Sequence, residues 1–597
     1  MSQTGTTTVQ NSPGAPDLKG HQPLVARRWF ALSAVLTFMG YVALFLLLQS
    51  TILWQTYSPV QARFPDLFGW LSAPFPDPRQ RTDADIGWGL AGLLLYMLVL
   101  AFLFAVYLFA LRKASRLSLS AWASRRLFRR LIAVTAGLLA LLMLTREIYA
   151  VDIFAYSWFG RIGAVFGDNP YVHVPSEYAA MDTGGWLPYL YWHDLPAPYG
   201  PVWLILAGGV AKVANLFGSD IAYHVLGHKL LVSAVYLLSV WLIWKVAGQL
   251  GGRWVRSTAS AARGRPSQGG RLTQVVSVAR KTRALQFAAA LAFAWNPLML
   301  IEFGISAHND LLMLAFVLLA LYLHLRGRWQ LAALALALAC LIKFTAIIFV
   351  PGYLWLLLWQ ARRGTPGGSW SRGLVRVGSA AGIFAATCVA FYIPFWQGPT
   401  TLNVLYEDPT AQFFVHSFGT IANRKLPELL SAMGFASDGV HTRESLEALA
   451  AAFARWVPLA ITAIVAVWQT WPARDVQRML RAWGWTIFVL LTVGLAWFWP
   501  WYVAWLLVPA LLSNDKRLVN ASILLSFTSL TIYLVGVPLR SIRPDVRLWT
   551  ALWVMGLPLL YIGYTYLRAR VTSRAPLQRT ATAERTSPQT AEGPSHS

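Results

Sequence analysis

Stretches of about 20 apolar residues recur along this chain, and short clusters of Lys and Arg separate them. A helix needs a stretch of this length to cross a lipid bilayer. The chain has 597 residues, of which 56% are hydrophobic and 13% are charged, whereas roughly 25% of the residues of a soluble protein are charged. We therefore predict an all-α polytopic membrane protein. The candidate spans are 31–52, 86–111, 131–149, 227–248, 287–304, 311–325, 374–396, 452–471, 483–499, 501–513, 518–538 and 548–567.

The basic residues predict the orientation of the bundle. The net charge is +25, and the segments 112–130 and 249–286 carry seven and eight basic residues without any acidic residue. Such segments lie on the cytoplasmic side of membrane proteins. We therefore expect both segments to face the cytoplasm and loops 150–199 and 397–450 to face outside. A high positive charge can also indicate a nucleic-acid-binding protein. We reject that function here, because the basic residues lie in clusters between apolar stretches, where they would contact anionic lipid.

Two apolar stretches depart from the simple pattern. The stretch 329–360 is too long for one helix and too short for two full ones, and Lys343 interrupts it. We predict two short helices that meet at this lysine. A complete crossing by 200–217 would put the basic segment 249–286 outside, so we predict a re-entrant or juxtamembrane helix at 200–217.

The composition divides the chain into three parts. Residues 1–28 and 571–597 are rich in small and polar residues and are expected to be disordered cytoplasmic tails. Residues 29–570 form the predicted transmembrane domain. Within it, the external loop 150–200 is the candidate catalytic loop, and 397–450 is the second external loop.

The loop 150–200 contains the candidate catalytic residue. Asp152 begins a helical segment, and Tyr156 lies one turn further along the same helix face. A carboxylate at the boundary between water and lipid is partly desolvated, so its pKa can be tuned for general-base catalysis. A helix N-cap or a solvated carboxylate at the interface would explain Asp152 equally well.

The end of the same loop is rich in proline and aromatic residues. It contains His193 and the segment PAPYGP at 196–201, in which Tyr199 lies between prolines. Three prolines in six residues predict an extended, rigid approach to the next helix. This segment is either one wall of a substrate cleft or a plain anchor at the membrane interface.

Polar residues also lie between predicted spans. His308, Asn309 and Asp310 form a turn between two of them, and Lys343 interrupts another. Ionisable residues at this depth are costly and indicate function, although Asn309 and Asp310 are also typical helix caps. A lysine there either reaches the headgroups by its length or binds an anion, for which a lipid phosphate is suited. We expect Lys343, with Arg146, to bind a donor phosphate.

No metal site follows from the sequence. His308-Asn309-Asp310 is not spaced as a zinc site, and Walker, Rossmann and Ser-His-Asp patterns are not found. Glu302, near the outer end of the preceding span, is a further ionisable residue in an apolar environment. Cys340 and Cys388 both lie within apolar stretches and predict no disulfide framework.

Several of these segments together resemble a known family, the polyprenol-phosphate-mannose-dependent α-(1→6)-mannopyranosyltransferases. The resemblance extends from about 140 to 510 and keeps the order of the elements. The elements are Asp152-Ile153-Phe154-Ala155-Tyr156, Gly167-Asp168-Asn169-Pro170-Tyr171, Pro196 to Pro201, Asn296-Pro297, His308-Asn309-Asp310, Leu341-Ile342-Lys343, and Trp499-Pro500-Trp501-Tyr502 with Trp505.

The resemblance implies a GT-C-type bundle of many transmembrane helices with external loop and juxtamembrane helices, and the apolar stretches predict about 13–14 transmembrane helices in it. It implies inverting transfer of a hexose, usually mannose, from a polyprenyl-phosphate donor to a lipid-linked or cell-envelope glycan. Asp152 falls at the position of the family's catalytic carboxylate. The chain departs from the family in lacking an Asp-x-Asp or Asp-Asp pair, since Glu147 is the nearest upstream acid.

The functional hypothesis is therefore a multi-pass glycosyltransferase of the cell membrane with its active site on the external face. Asp152 would be the base, and Lys343 and Arg146 would bind the donor phosphate. The substrate would contact the residues Tyr156, His193, Tyr199, His308, Asn309 and Asp310. No cofactor is required, and a divalent cation is compatible with this chemistry but not indicated. The rival class is a lipid or lipid-linked-sugar flippase without transferase activity, which would be expected to contain paired inverted repeats.

Overall fold

The structure, a computed structural model, describes residues 21–49, 58–72, 86–146, 152–182, 187, 190–262, 268–363, 369–405, 413–435, 442–536 and 546–585. The α-helices are α1 His21–Gln49, α2 Pro59–Arg63, α3 Pro65–Ser72, α4 Ile86–Ser115, α5 Ala121–Met143, α6 Asp152–Arg161, α7 Pro201–Asn215, α8 Ile221–Ala262, α9 Gln268–Ala294, α10 Pro297–Met299, α11 Asp310–Leu325, α12 Trp329–Cys340, α13 Val350–Arg363, α14 Trp370–Tyr392, α15 Phe418–Ala432, α16 Arg443–Thr470, α17 Val476–Val489, α18 Val503–Leu512, α19 Lys516–Leu530, α20 Ile532–Gly536, α21 Val546–Val554 and α22 Gly556–Arg585.

Short helices of other types interrupt or extend this series. Among the described residues, three are π-helices, at Ile162–Phe166, Leu300–Ile305 and Leu490–Gly494. The 3₁₀-helices are Pro175–Met181, Phe344–Phe349, Ile393–Phe395, Pro399–Leu405 and Pro500–Tyr502. π-helical turns are rare and occur often at functional sites. The all-α prediction is confirmed for the described residues, in which the one β-contact is an isolated bridge between Val415 and Trp497.

Eight of the described helices are long and apolar enough to cross a membrane, or nine if the bent pair Gln274–Ala294 and Pro297–Ile305 counts as one span. This number is smaller than the 13–14 that the apolar stretches predicted. The predicted spans 311–325 and 501–513 correspond to shorter apolar helices, Asp310–Leu325 and Pro500–Leu512. At a rise of about 1.5 Å per residue, such helices are shorter than the roughly 30 Å hydrocarbon layer.

The two predicted cytoplasmic segments lie together at one end of the bundle. The Leu119 amide, between α4 and α5, donates to the Arg280 carbonyl of α9 at 3.3 Å. The Arg253 guanidinium of α8 donates to the Leu325 carbonyl at the end of α11, at 3.1 Å. We call this the basic end. The opposite end, where α6 and α11 begin, is called the site end.

Helix α7 stays near the site end. Its first residues bond to the turn before Lys343, because the Val202 amide donates to the Leu341 carbonyl at 3.0 Å. Its last residue, Asn215, lies 3.1 Å from a ring nitrogen of His224 in the first turn of α8. Trp203, near the start of α7, packs against His228, one turn further along α8. Helix α7 is thus held at both ends by the first two turns of α8 and by the Leu341 turn, and its juxtamembrane position stays a prediction.

The apolar stretch 329–360 breaks where the lysine interrupts it. Helix α12 ends at Cys340, Lys343 is extended (φ −146°, ψ 123°), and a 3₁₀-helix begins at Phe344. The break is confirmed. The second half is longer than predicted, since Phe344–Arg362 is one of the helices long enough to span a membrane.

The terminal helices extend past the predicted domain boundaries at 29 and 570. Helix α1 begins at His21, and α22 continues to Arg585. An established helix adds residues at little cost, so it continues beyond the apolar run that anchors it. The rest of both predicted tails, 1–20 and 586–597, lies outside the described residues.

Candidate active site

Asp152 is the first residue of α6, at the site end. The rest of this helix, Ile153–Arg161, is buried, whereas the Asp152 side chain keeps 28% of its surface exposed. A carboxylate in the first turn of a helix is stabilised by the helix dipole. Asp152 is therefore held by a buried helix and still accessible to a substrate. The preceding residues, including Glu147, lie outside the described residues.

His308 lies between two carboxylates. Its Nδ1 is 3.4 Å from Asp152 Oδ2, and its Nε2 is 3.4 Å from Glu302 Oε2. These are ion-pair distances, longer than a well-formed hydrogen bond. His308 and Glu302 are completely buried. Ala307, the preceding residue, has a positive φ of 53°, a costly conformation for a residue with a side chain, and it turns His308 toward Asp152.

The ring of His308 is also fixed by aromatic packing. It stacks on Trp501, with 3.9 Å between ring centroids and 19° between planes. Trp501 in turn stacks on Trp499, with 5.3 Å between centroids and 9° between planes. The Trp499-Pro500-Trp501 segment therefore holds the imidazole in one orientation.

Asp152 and His308 each stabilise the charged form of the other. Burial lowers the pKa of His308, but contacts with Asp152 and Glu302 outweigh it and raise the pKa to about 9. Burial raises the pKa of Asp152, but His308 and Lys343 outweigh it and leave the pKa below its usual value. At neutral pH the pair is therefore an imidazolium next to an ionised carboxylate.

Asp310 and Lys343 form a second ion pair in the same region. Lys343 Nζ donates to Asp310 Oδ2 at 2.7 Å, and the indole N–H of Trp505 donates to Asp310 Oδ1 at 2.7 Å. Asp310 is completely buried, whereas the Lys343 side chain is 17% exposed. The capping interpretation is wrong for Asp310, whose two oxygens accept from side chains. It is also wrong for Asn309, which is at the N-cap without a side-chain cap bond.

The proline-rich segment packs against the turn that carries Lys343. The Gly200 amide donates to the Ile342 carbonyl at 3.2 Å. Tyr199 contacts Tyr156 edge to face, with 5.1 Å between centroids. The Tyr156 hydroxyl accepts from the Asn309 amide at 3.2 Å. These contacts join the 196–201 segment, α6 and the His-Asn-Asp turn.

An apolar cavity of about 730 Å³ opens beside Lys343, between the α12–α13 break and α14. Cys340, Leu341 and Phe344 line one wall, immediately before and after the lysine, and Phe384 and Cys388 belong to the other wall. The span that contains α14 is only 11% buried. The cavity is therefore on the outside of the bundle, where lipid would surround it.

Other predicted residues are not brought to Asp152 by the contacts described for them. His193 pairs with Asp194, at 2.9 Å, and its side chain is 42% exposed. Arg146 is half-buried at the end of a described segment, and its assignment to a phosphate stays a prediction. Loop 397–450 reaches the tryptophan segment at His416, a residue not among the predicted site residues, which packs near Trp499 with 5.4 Å between centroids.

Glu302 and Tyr533 were not among the predicted site residues. The Tyr533 hydroxyl is 2.9 and 3.0 Å from the two Glu302 oxygens. An acidic residue inside an apolar run is a signal for Glu302. A tyrosine in a late apolar span gives no such signal, because its partner lies 231 residues away.

In the described ranges, no group of three or more His, Cys, Asp or Glu side chains is arranged to hold a metal ion. The charged side chains that the described contacts bring together here are those of Asp152, Glu302, His308, Asp310 and Lys343.

Parts of this chain are similar to known proteins. Residues 70–262 and 271–359 match the family described as alpha-(1→6)-mannopyranosyltransferase, N-terminal domain. Alpha-(1→6)-mannopyranosyltransferase B of Corynebacterium glutamicum is 26% identical over 188 residues, which cover 31% of this chain and 25% of the relative. An alpha-(1→6)-mannopyranosyltransferase of Mycobacterium tuberculosis is 28% identical over 188 residues, which cover 31% of this chain and 26% of the relative.

These alignments with the curated relatives span only about a quarter of the relatives' length. The family match includes Asp152, Glu302, His308, Asp310 and Lys343. The chain is therefore similar to the alpha-(1→6)-mannopyranosyltransferase family over 70–262 and 271–359.

Proposed function

We propose that this chain is a membrane mannosyltransferase, which uses a polyprenyl-phosphate donor and a lipid-linked or cell-envelope glycan acceptor. The observation that carries the proposal is the combination of a partly exposed Asp152 held ionised beside His308 with a nearby Lys343, whose chain neighbours Leu341 and Phe344 line an apolar cavity. Such a donor consists of a sugar, a phosphate and a lipid chain. Asp152 is suited to the transfer of the sugar, Lys343 to binding the phosphate, and the apolar cavity to holding the lipid chain.

Asp152 is proposed to act as the general base. It takes the proton of an acceptor hydroxyl, and the oxygen forms a bond to the anomeric carbon from the face opposite the phosphate. The bond between that carbon and the phosphate oxygen breaks, and its electron pair leaves with polyprenyl phosphate. The configuration at the anomeric carbon is therefore inverted. A base with a low pKa is sufficient because the phosphate is already a good leaving group.

Lys343 is proposed to bind the donor phosphate. Its Nζ is fixed by Asp310 and lies 5.4 Å from the centre of the Tyr502 ring. An ammonium held in place stabilises the charge that develops on the leaving phosphate. Because the Lys343 side chain is still partly exposed, a phosphate oxygen can approach it without breaking the bond to Asp310.

The apolar cavity is proposed to hold the first part of the polyprenyl chain. It is lined by Cys340, Leu341 and Phe344 on the side next to Lys343. Burying apolar surface contributes roughly 25 cal/mol per Å², so this wall favours a lipid-linked donor over a soluble sugar phosphate. The lipid would enter from the membrane past α14.

The site end is proposed to face outside. The basic segments 112–130 and 249–286 are in contact at the opposite end, and basic segments favour the cytoplasm. The acceptor would then be a glycolipid or glycan of the cell envelope.

The test uses purified protein with polyprenyl-phosphate mannose and a membrane lipid extract. We expect release of polyprenyl phosphate and formation of a mannosylated lipid. Asp152→Asn should lower the rate by about 10²–10⁴-fold without loss of folding, because an amide cannot accept the proton. Full activity of this variant would disprove the assignment of Asp152. Movement of intact donor across vesicles, without release of polyprenyl phosphate, would favour the flippase.

A further inference from the structure

Behind Asp152, a chain of polar groups extends into the interior of the bundle. It passes from Asp152 through the imidazole of His308 to Glu302 and ends at the hydroxyl of Tyr533. The last three groups have no direct access to a substrate, because His308 and Glu302 are fully buried and Tyr533 is 7% exposed. Their position calls for a role other than substrate binding.

A buried carboxylate in the apolar interior is expensive, by several kcal/mol for the ion alone. Glu302 receives two compensating contacts from Tyr533, at 2.9 and 3.0 Å, and faces His308 Nε2 at 3.4 Å. Glu302 lies in the π-helix Leu300–Ile305, in which all residues are buried. The π-helical turn and the positive φ of Ala307 bring Glu302 and His308 face to face across a tight turn.

We propose that Glu302 is a positioning residue, which acts through His308 to keep Asp152 ionised and oriented as the base. This assignment replaces the predicted role of His308 as a substrate ligand, and it rests on the proposed role of Asp152. A neutral imidazole would leave Asp152 partly buried beside an uncharged ring, where burial favours the protonated acid. With Glu302 on its other side, the ring stays cationic and holds the carboxylate as an anion.

The surrounding charges agree with this assignment. The ionisable groups that face His308 are Asp152 from α6 and Glu302 from the π-helix. Tyr533 from α20 contacts Glu302, and Tyr96 from α4 is close enough to interact with it. Lys343 acts on Asp152 from the α12–α13 break. Trp501 covers the His308 ring and separates it from water.

The test measures the protonation of His308 directly and therefore does not depend on transferase activity. The full-length protein in detergent is labelled at histidine, and the ring nitrogens are followed by NMR as the pH rises; His308→Gln identifies the signal. In the wild type we expect His308 to remain charged up to about pH 9. Glu302→Gln, which keeps the shape of the side chain, should lower the midpoint by about 1–3 pH units.

Two further variants separate the charge of Glu302 from its volume. Glu302→Asp keeps the charge and should restore part of the shift. Asp152→Asn leaves Glu302 as the one carboxylate facing the ring, so His308 should still titrate above its ordinary value of about 6.5. An unchanged midpoint in Glu302→Gln, or a midpoint at or below 6.5 in Asp152→Asn, would overturn the inference. If Glu302→Gln does not fold, the His308 midpoint measured in Asp152→Asn alone tests the inference.

The same variants have a kinetic counterpart where transferase activity is found. Activity should be present below pH 9 and fall as the pH rises through about 9, because His308 then loses its proton. In Glu302→Gln this alkaline limb should move to lower pH. An absent transferase activity would contradict the proposed function, whereas an unmoved limb in an active Glu302→Gln variant would contradict the role of Glu302.

Discussion

At the scale of single residues, Lys343 is assigned two anionic partners, the Asp310 carboxylate and the donor phosphate. Its Nζ is 2.7 Å from Asp310, a carboxylate without exposed surface, and the proposed function also assigns it the donor phosphate. Removing one member of a buried ion pair leaves the other uncompensated, which costs about 3–5 kcal/mol. A simple Lys343→Ala variant would therefore mix lost stability with lost binding.

A double-mutant comparison separates the two effects. Lys343→Ala should lower thermal stability in detergent and weaken donor use. Lys343→Ala combined with Asp310→Asn should recover most of the stability, because no unpaired charge remains and the amide oxygen can still accept from Trp505. Donor KM should stay raised, by about tenfold or more, which corresponds to one charge-assisted hydrogen bond. A double variant with the wild-type KM would show that Lys343 serves only Asp310.

At the scale of structural elements, the site depends on how closely the 196–201 segment approaches the break at Lys343. The amides of Gly200 and Val202 donate to the carbonyls of Ile342 and Leu341. A Cβ at Gly200 would overlap the Leu341 carbonyl. Gly200 is therefore required by a close approach of two backbone segments.

Gly200→Ala should push the two segments apart and displace Tyr199 and Lys343. We expect a loss of transfer activity of about tenfold or more, because small misplacements of catalytic groups are costly. Gly209→Ala, on the exposed face of α7, is the matched control, since a Cβ there meets nothing within 4 Å. It should keep activity and raise stability by about 0.5–1 kcal/mol. Equal activity of both variants would contradict the importance of this contact.

At the scale of the whole molecule, the bundle separates charge by its two ends. The segment between α4 and α5 meets α9 at the basic end, whereas α6, α11 and the 196–201 segment meet at the site end. Helices α14 and α16 lie on the outside, since their spans are only 11% and 17% buried. This arrangement lets lipid reach the site end from the side.

Cysteine labelling tests the orientation of the two ends. In a background with Cys340→Ala and Cys388→Ala, Ala180→Cys at the site end and Ser118→Cys at the basic end both replace exposed residues. An impermeant maleimide added to intact spheroplasts should label Ala180→Cys. Ser118→Cys should react only after permeabilisation, because basic segments face the cytoplasm. The opposite pattern would place the proposed active site inside the cell.

The local pattern of the sequence was sufficient for several features. The apolar runs predicted an all-α membrane protein, and the position of Lys343 predicted the break that lies between Cys340 and Phe344. The prediction from the basic segment 249–286 that 200–217 does not cross completely stays a prediction, and α7 is one of the shorter apolar helices. These features depend on composition and on neighbours in the chain, which a sequence contains directly.

The sequence by itself thus determined the membrane class, the break at Lys343 and the polar residues suited to chemistry. Tertiary structure decided which of those residues meet: Asp310 pairs with Lys343, 33 residues away, and Glu302 meets Tyr533, 231 residues away. It also gave His193 a local partner in Asp194. The physical reason is that a polar group buried among apolar helices must find a partner, and the packing of distant helices decides which partner is within reach.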